Sequence, residues 1–166
     1  MSSQPRLVIF GYGNPGRGDD ALGSMLLARA ETLAARTPGL DIELVEDFQL
    51  QVEHALDLEG RDLALFLDAA ESGPAPFAFR RLQPAADASF TTHAISPEAV
   101  LHAFRTVRGT APPPAFVLAV RGRSFLLGED LSGEAHQHLE AAAGFLQRLL
   151  EVPSADRWDA LDVAQE

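Results

Sequence analysis

Residues 11–20, GYGNPGRGDD, constrain the fold more than any other part of the chain. They follow an apolar run at residues 7–10, which is typical of a strand covered on both faces of a parallel sheet. Gly11, Gly13 and Gly16 let the backbone turn sharply and let a second molecule approach the main chain. Asp19 and Asp20 then stand where a helix should begin. The segment therefore predicts a strand, a glycine turn and a helix, with polar groups at the carboxyl end of the strand.

The glycine spacing also satisfies G-x-G-x-x-G, the pattern of dinucleotide-binding folds. Asp19 and Asp20 argue against a dinucleotide, because they would occupy the positive helix N-terminus that a pyrophosphate needs. Oxygen ligands beside an open backbone favour a cation instead. A nucleotide-binding module stays an alternative, since Glu46 or Asp47 ends the second predicted strand as a ribose ligand would.

Length and composition narrow the class of protein. A chain of 166 residues can bury a core of its own, and we expect one α/β domain over residues 1–152, followed by an acidic, frayed tail over residues 153–166. The net charge of −11 argues against a nucleic-acid surface. The absence of cysteine excludes disulfides, thiolate metal sites and cysteine nucleophiles, and it fits a reducing compartment. We therefore expect a cytoplasmic protein, without a membrane span and monomeric.

Hydrophobic periodicity gives the order of secondary structure. It predicts strands at residues 7–12, 41–48, 63–68, 77–82 and 115–120, and helices at residues 20–36, 51–58, about 96–107 and about 132–150. Alternating strands and helices indicate an α/β fold: a twisted, mostly parallel sheet of about five strands with helices on both faces, of the phosphorylase/hydrolase-like kind. Functional groups collect beyond the carboxyl ends of the strands in such sheets.

Three polar residues are the candidates for a site at that edge. Asp20 follows the first strand, Asp68 closes the third, and His93 lies in an irregular segment before a helix. Two carboxylates and an imidazole would hold a divalent ion and leave positions open for substrate or water. Taken singly, each residue has a structural explanation: Asp20 as a helix cap, Asp68 as a loop cap and His93 as an incidental loop histidine.

Three motifs together resemble a known family. GYGNPGRGDDALG at residues 11–23, LFLDA at 65–69 and FTTHAISPEAVL at 90–101 closely resemble the hydrogenase maturation endopeptidases, which act on the large subunit of nickel-iron hydrogenases. The resemblance runs from Leu7 to about Leu150, and VRGRSFLLGEDLS at 120–132 resembles one branch of the family. It implies that Asp20, Asp68 and His93 are the metal-contacting and catalytic residues.

The resemblance also implies an activity. The family removes a short C-terminal extension from the large-subunit precursor once nickel has been inserted, so the expected partner is a nickel-loaded precursor. The expected nickel is supplied by that precursor and read as a signal, and we expect no tightly bound metal of the chain's own. Residues 46–50, EDFQL, depart from the acid and paired glycines of several relatives, which leaves the hydrogenase type open.

Two other functions stay open. A non-enzymatic nickel-binding chaperone would bind the same metal without cutting. GYGNPG also resembles the opening motif of peptidyl-tRNA hydrolases, but the chain lacks a basic surface and has no histidine before His54. No serine lies in a G-x-S-x-G turn, so a serine nucleophile has no support. We expect Asp19 to cap a helix or support the site, and the remaining histidines to be packing or surface residues: His54, His102, His136 and His138.

Overall fold

The structure is a computed structural model that describes residues 4–87 and 94–162. In these ranges the strands are β1 (Arg6–Tyr12), β2 (Asp41–Asp47), β3 (Leu63–Ala70), β4 (Phe77–Leu82) and β5 (Ala115–Arg121). They form a sheet in the order β2-β1-β3-β5-β4. Only β4, at one edge, runs antiparallel to its neighbour. The predicted five-stranded, mostly parallel sheet is confirmed.

Helices cover both faces of the sheet, as predicted. They are α1 (Leu22–Ala35), α2 (Pro97–Arg108), α3 (Gly133–Glu151) and α4 (Ala155–Asp159), with two 3-10 helices at Gly18–Ala21 and Val52–Leu58. Helices α1 and α3 pack together on one face, and α2 packs with the second 3-10 helix on the other. No helix in the described ranges is both long enough and apolar enough to span a lipid bilayer.

Strand β1 explains the apolar run that precedes the glycine turn. Leu7 and Ile9 enter the core beneath α1 and α3, whereas Val8 and Phe10 enter the core on the opposite face. Because alternate side chains of a strand point to opposite faces, a strand covered on both faces needs apolar residues throughout. Phe10 stacks on Phe66 of β3 with ring centroids 4.6 Å apart.

Glycines allow the turn after β1 to lie against α1. A Cβ atom on Gly13, whose φ is +139°, would be 2.1 Å from the main-chain oxygen of Asp20. A Cβ atom on Gly23 would be 2.2 Å from the main-chain oxygen of Tyr12. The side chain of any other residue would therefore push the start of α1 away from the strand ends.

The segment after Pro153 differs from its prediction. We expected a frayed tail, but Ala155–Asp159 form α4, and Trp158 is completely buried. The indole of Trp158 packs edge-on against Phe116, and its Nε1 donates a hydrogen bond to the Leu149 oxygen at 3.0 Å. The expectation of fraying is wrong for this helix, because one large aromatic side chain anchors an otherwise polar segment.

Candidate functional site

A cleft of about 610 Å³ opens at the carboxyl ends of β1, β2 and β3. Both acids predicted from the sequence, Asp20 and Asp68, line it. The other lining residues come mainly from the turn after β1 and the segment after β2: Tyr12, Gly13, Asn14, Arg17, Asp47, Phe48, Gln49, Leu50, Gln51, Ala94 and Ile95.

Strand register places Asp68 in this cleft. The pairing of β1 with β3 ends at Gly11 and Leu67, so Asp68 lies one residue beyond the last pair. On its other side β3 continues to pair with β5 as far as Ala70. Asp68 therefore lies within the strand and does not close it, in contrast to the sequence expectation. The departure of β1 at the glycine turn is what opens the space beside Asp68.

Asp20 is held in place by the turn that it follows. Its Oδ2 accepts a hydrogen bond from the Asn14 main-chain nitrogen at 2.7 Å. Its Oδ1 accepts none from the residues that the structure describes, which leaves that oxygen available to a ligand in the cleft. Asp20 thus closes the turn and also lines the cleft.

Asp68 lies in a less polar setting, where burial raises its pKa to about 6. A hydrogen bond from the Ala69 main chain and the contact with the Tyr12 hydroxyl oppose this shift, and the negative charges of Asp20 and Glu98 add to it. Burial, followed by the charge of Asp68, raises the pKa of Tyr12 well above its usual value. A cation shared by Asp20 and Asp68 would relieve their repulsion, so this donor pair fits a divalent metal ion.

Asp19 has a different role from its neighbour. Its carboxylate is completely buried and accepts hydrogen bonds from the main-chain nitrogens of Arg123, Ser124 and Ser132, at 2.6, 3.1 and 2.7 Å, and from the Ser132 hydroxyl at 2.7 Å. Burial alone would raise the pKa of Asp19, but these hydrogen bonds outweigh it and lower the pKa. Asp19 therefore fixes the connection between β5 and α3 and does not line the cleft.

His93 lies outside the described residues. Ala94 and Ile95, where the described chain resumes, do line the cleft. Within residues 4–87 and 94–162 no three histidine, aspartate or glutamate side chains form a group that could hold a metal ion. The assignment of His93 as third ligand therefore stays a prediction.

A second pair of residues, Asp47 and His54, lies beside the cleft, and the sequence did not indicate that these two would meet. His54, expected to be a packing or surface residue, is buried, and its Nε2 lies 3.3 Å from Oδ2 of Asp47. Asp47 pairs with Tyr12 in the sheet. The sequence placed Asp47 at the end of the second predicted strand, and strand alternation puts it on the same face as Val45, but neither signal pointed to His54.

The chain resembles known proteins in fold rather than in sequence. No protein-family model matches the chain, and no curated protein matches it significantly. Solved structures do match. The NiFe hydrogenase maturation protease HycI from Thermococcus kodakarensis has a TM-score of 0.67 and 24% identity, over 90% of this chain and 95% of that one.

Two further structures give the same result. The hydrogenase maturating endopeptidase HybD from E. coli has a TM-score of 0.64 and 23% identity, over 88% of this chain and 93% of that one. A hydrogenase 2 maturation peptidase from a Thaumarchaeota archaeon has a TM-score of 0.60 and 21% identity, over 89% of this chain and 99% of that one. The chain therefore has the fold of the hydrogenase maturation proteases.

Proposed function

We propose that the chain is an endopeptidase that removes the C-terminal extension of a nickel-iron hydrogenase large-subunit precursor after nickel insertion. The sequence motifs around Asp20, Asp68 and His93 support this function, and so does a fold shared over nearly the full length of known maturation proteases. The observation that carries the proposal is the placement of Asp20 and Asp68 in one cleft at the carboxyl edge of that fold.

In this proposal Asp20, Asp68 and His93 bind the nickel that the precursor already holds. Asp20 offers its Oδ1, and Asp68 gives up its proton as the metal binds, because the metal's charge lowers the pKa of a ligand. Binding places the C-terminal segment in the cleft, where water is added across one peptide bond. An open set of two carboxylates and an imidazole has little selectivity of its own, so selectivity for nickel comes from the precursor.

The partner of the chain is accordingly the nickel-loaded precursor, and the chain carries no tightly bound metal by itself. The acidic net charge supports a protein partner over a nucleic acid. We place the reaction in the reducing cytoplasm, in keeping with the absence of cysteine, and we propose that the chain acts as a monomer.

The test is incubation of the purified chain with nickel-loaded large-subunit precursor, followed by mass spectrometry of the intact products. We expect one shortened large subunit and one released peptide. Asp20→Asn and Asp68→Asn should each give neither product. Glu46→Gln is the matched control, because Glu46 lines a separate cavity on the other face of β2.

The same experiment separates the alternatives. Binding of the nickel-loaded precursor without any cleavage would contradict the protease and favour a nickel-binding chaperone. Hydrolysis of peptidyl-tRNA by the chain, with the precursor left intact, would favour the hydrolase-like alternative.

A further inference from the structure

The structure describes two completely or nearly buried polar side chains, Asp19 and His54. Asp19 has a structural role that accounts for its burial, since it accepts four hydrogen bonds. His54 is different. Its ring lies edge-on to Phe10, with centroids 6.0 Å apart, and its side-chain partner is an acid that lines the cleft. Burying an imidazole costs free energy unless the ring is hydrogen-bonded. The presence of a histidine here, in place of an apolar residue, therefore needs an explanation.

The hydrogen bonds of His54 fix its tautomer. Its Nδ1 is 2.8 Å from the Gln51 main-chain N–H, which can only donate. Nδ1 of the neutral ring is therefore the acceptor, and Nε2 carries the hydrogen. Nε2 lies beside the Asp47 carboxylate, 3.3 Å from Oδ2. The other carboxylate oxygen, Oδ1, accepts from the Phe48 main-chain N–H at 2.7 Å. Oδ1 of Asp47 is thus fixed by the main chain and Oδ2 is contacted by His54, while the side chain stays about half exposed.

Asp47 is also fixed relative to the candidate metal site. Its main-chain oxygen accepts a hydrogen bond from the Gly13 nitrogen at 3.2 Å, and the next residue, Asn14, holds Asp20. The neighbouring acid, Glu46, faces the opposite side of β2 and lines a separate cavity of about 250 Å³ with Leu44. Of these two adjacent acids, only Asp47 can reach a molecule in the cleft.

We propose that Asp47 binds a positively charged side chain, lysine or arginine, in the C-terminal segment of the precursor, and that His54 is its positioning residue. This inference rests on the proposed function. A carboxylate that is held by a main-chain hydrogen bond and an imidazole contact remains a strong acceptor for a cationic donor. Asp20 and Asp68 are engaged by nickel in the proposed reaction, which leaves the charge of Asp47 for the peptide.

The first test measures kcat and KM for cleavage of the nickel-loaded precursor. Asp47→Asn should raise KM about ten-fold or more, as expected for the loss of a hydrogen bond between charged groups, and should leave kcat within about three-fold. Glu46→Gln should leave both constants unchanged. An Asp47→Asn variant with unchanged KM would overturn the proposal.

Two substitutions of His54 separate positioning from folding. The amide nitrogen of His54→Gln can replace the Nε2–H donor, whereas the shorter His54→Asn retains only the acceptor for the Gln51 N–H. We expect His54→Gln to keep a KM near that of the unmodified chain and His54→Asn to resemble Asp47→Asn, with thermal unfolding confirming that both variants fold. Equal KM values in two folded variants would overturn the positioning role. If His54→Asn does not fold, the positioning role is judged from the other two variants: KM should be raised in Asp47→Asn and near that of the unmodified chain in His54→Gln.

The partner charge is found by replacing each lysine and arginine of the precursor's C-terminal segment with glutamine, one at a time. At one position the replacement should raise the KM of the unmodified chain. The same replacement should not raise the KM of Asp47→Asn any further, because that variant has already lost the contact. Additive effects at every position would overturn the cationic partner. If the unmodified chain does not cleave the precursor, the proposed function fails, but the role of Asp47 can still be tested. The dissociation constant of the nickel-loaded precursor then replaces KM in the comparison of the Asp47, His54 and precursor variants.

Discussion

Asp19 and Asp20 are adjacent in the sequence, but their carboxylates lie in different surroundings. Asp19 is completely buried and bound by the segment from Arg123 to Ser132, whereas Asp20 lines the cleft and is bound by the turn at Asn14. The 3-10 helix at Gly18–Ala21 directs the two side chains apart. One acid therefore supports the fold, and the other is available for binding.

Asp19→Asn should lower stability with little direct effect on the site. The amide offers one acceptor oxygen and would turn its NH₂ group toward main-chain donors, so we expect a loss of about 2–4 kcal/mol in the free energy of unfolding near neutral pH. Because hydrogen bonds lower the pKa of Asp19 in the fold, its contribution is present above the unfolded-state pKa of 3.8 and is lost as the pH falls through the lower, folded-state pKa.

Urea unfolding at several pH values tests this prediction. The difference between the unmodified chain and Asp19→Asn should shrink in acid. Asp20→Asn is the matched control, because its amide oxygen can still accept from the Asn14 N–H, and we expect a loss below about 1 kcal/mol. Equal destabilisation by the two substitutions would contradict the assignment of separate roles.

Asp68→Asn should abolish cleavage and raise stability. The pKa of Asp68 is raised to about 6 in the fold, so the folded state holds its proton more tightly than the unfolded state does. The stability of the unmodified chain therefore falls as the pH rises from 3.8 to about 6. An asparagine avoids this loss, and we expect a gain on the order of 1–3 kcal/mol at neutral pH that disappears in acid. A folded but less stable variant at neutral pH would contradict the origin given for the pKa shift.

Gly23→Ala should be strongly destabilising, although alanine is the better helix former. The added Cβ would lie 2.2 Å from the Tyr12 oxygen and 2.8 Å from the Leu67 oxygen, so the start of α1 must move. We expect a loss of about 3 kcal/mol or more by thermal unfolding. Gly144→Ala in α3 is the control, since a Cβ atom added there would meet nothing within 4 Å outside its own stretch of helix, and it should gain about 0.5–1 kcal/mol.

Much of the fold follows from patterns that act locally. Buried strands follow from the apolar residues of Leu7–Phe10 and of LFLDA. The start of a helix follows from Ser96 and Pro97, which suit the cap and the first helical position. The Ser96 hydroxyl accepts from the Ala99 nitrogen at 3.1 Å, as a capping residue should. Because parallel strands end at a common edge, Asp20 and Asp68 could be expected to lie together, and they do.

Features that depend on distant contacts could not be predicted in this way. Burial of Trp158 requires Phe116 and Leu149 to be placed first, so the tail looked polar and frayed in the sequence. The pairing of His54 with Asp47 depends on how the 3-10 helix returns beneath the end of β2. Strand alternation predicted on which face of β2 Asp47 lies, but it did not predict that His54 would contact it.

In the proposed reaction, nickel held by the precursor switches cleavage on through Asp20, Asp68 and His93. The most direct measurement compares cleavage rates of nickel-loaded and nickel-free precursor by the unmodified chain and by Asp20→Ala, with free nickel added to the chain as a control. We expect rapid cleavage only for the loaded precursor, no effect of free nickel on the chain alone, and no response in Asp20→Ala. Equal cleavage of loaded and nickel-free precursor by the unmodified chain would contradict the claim.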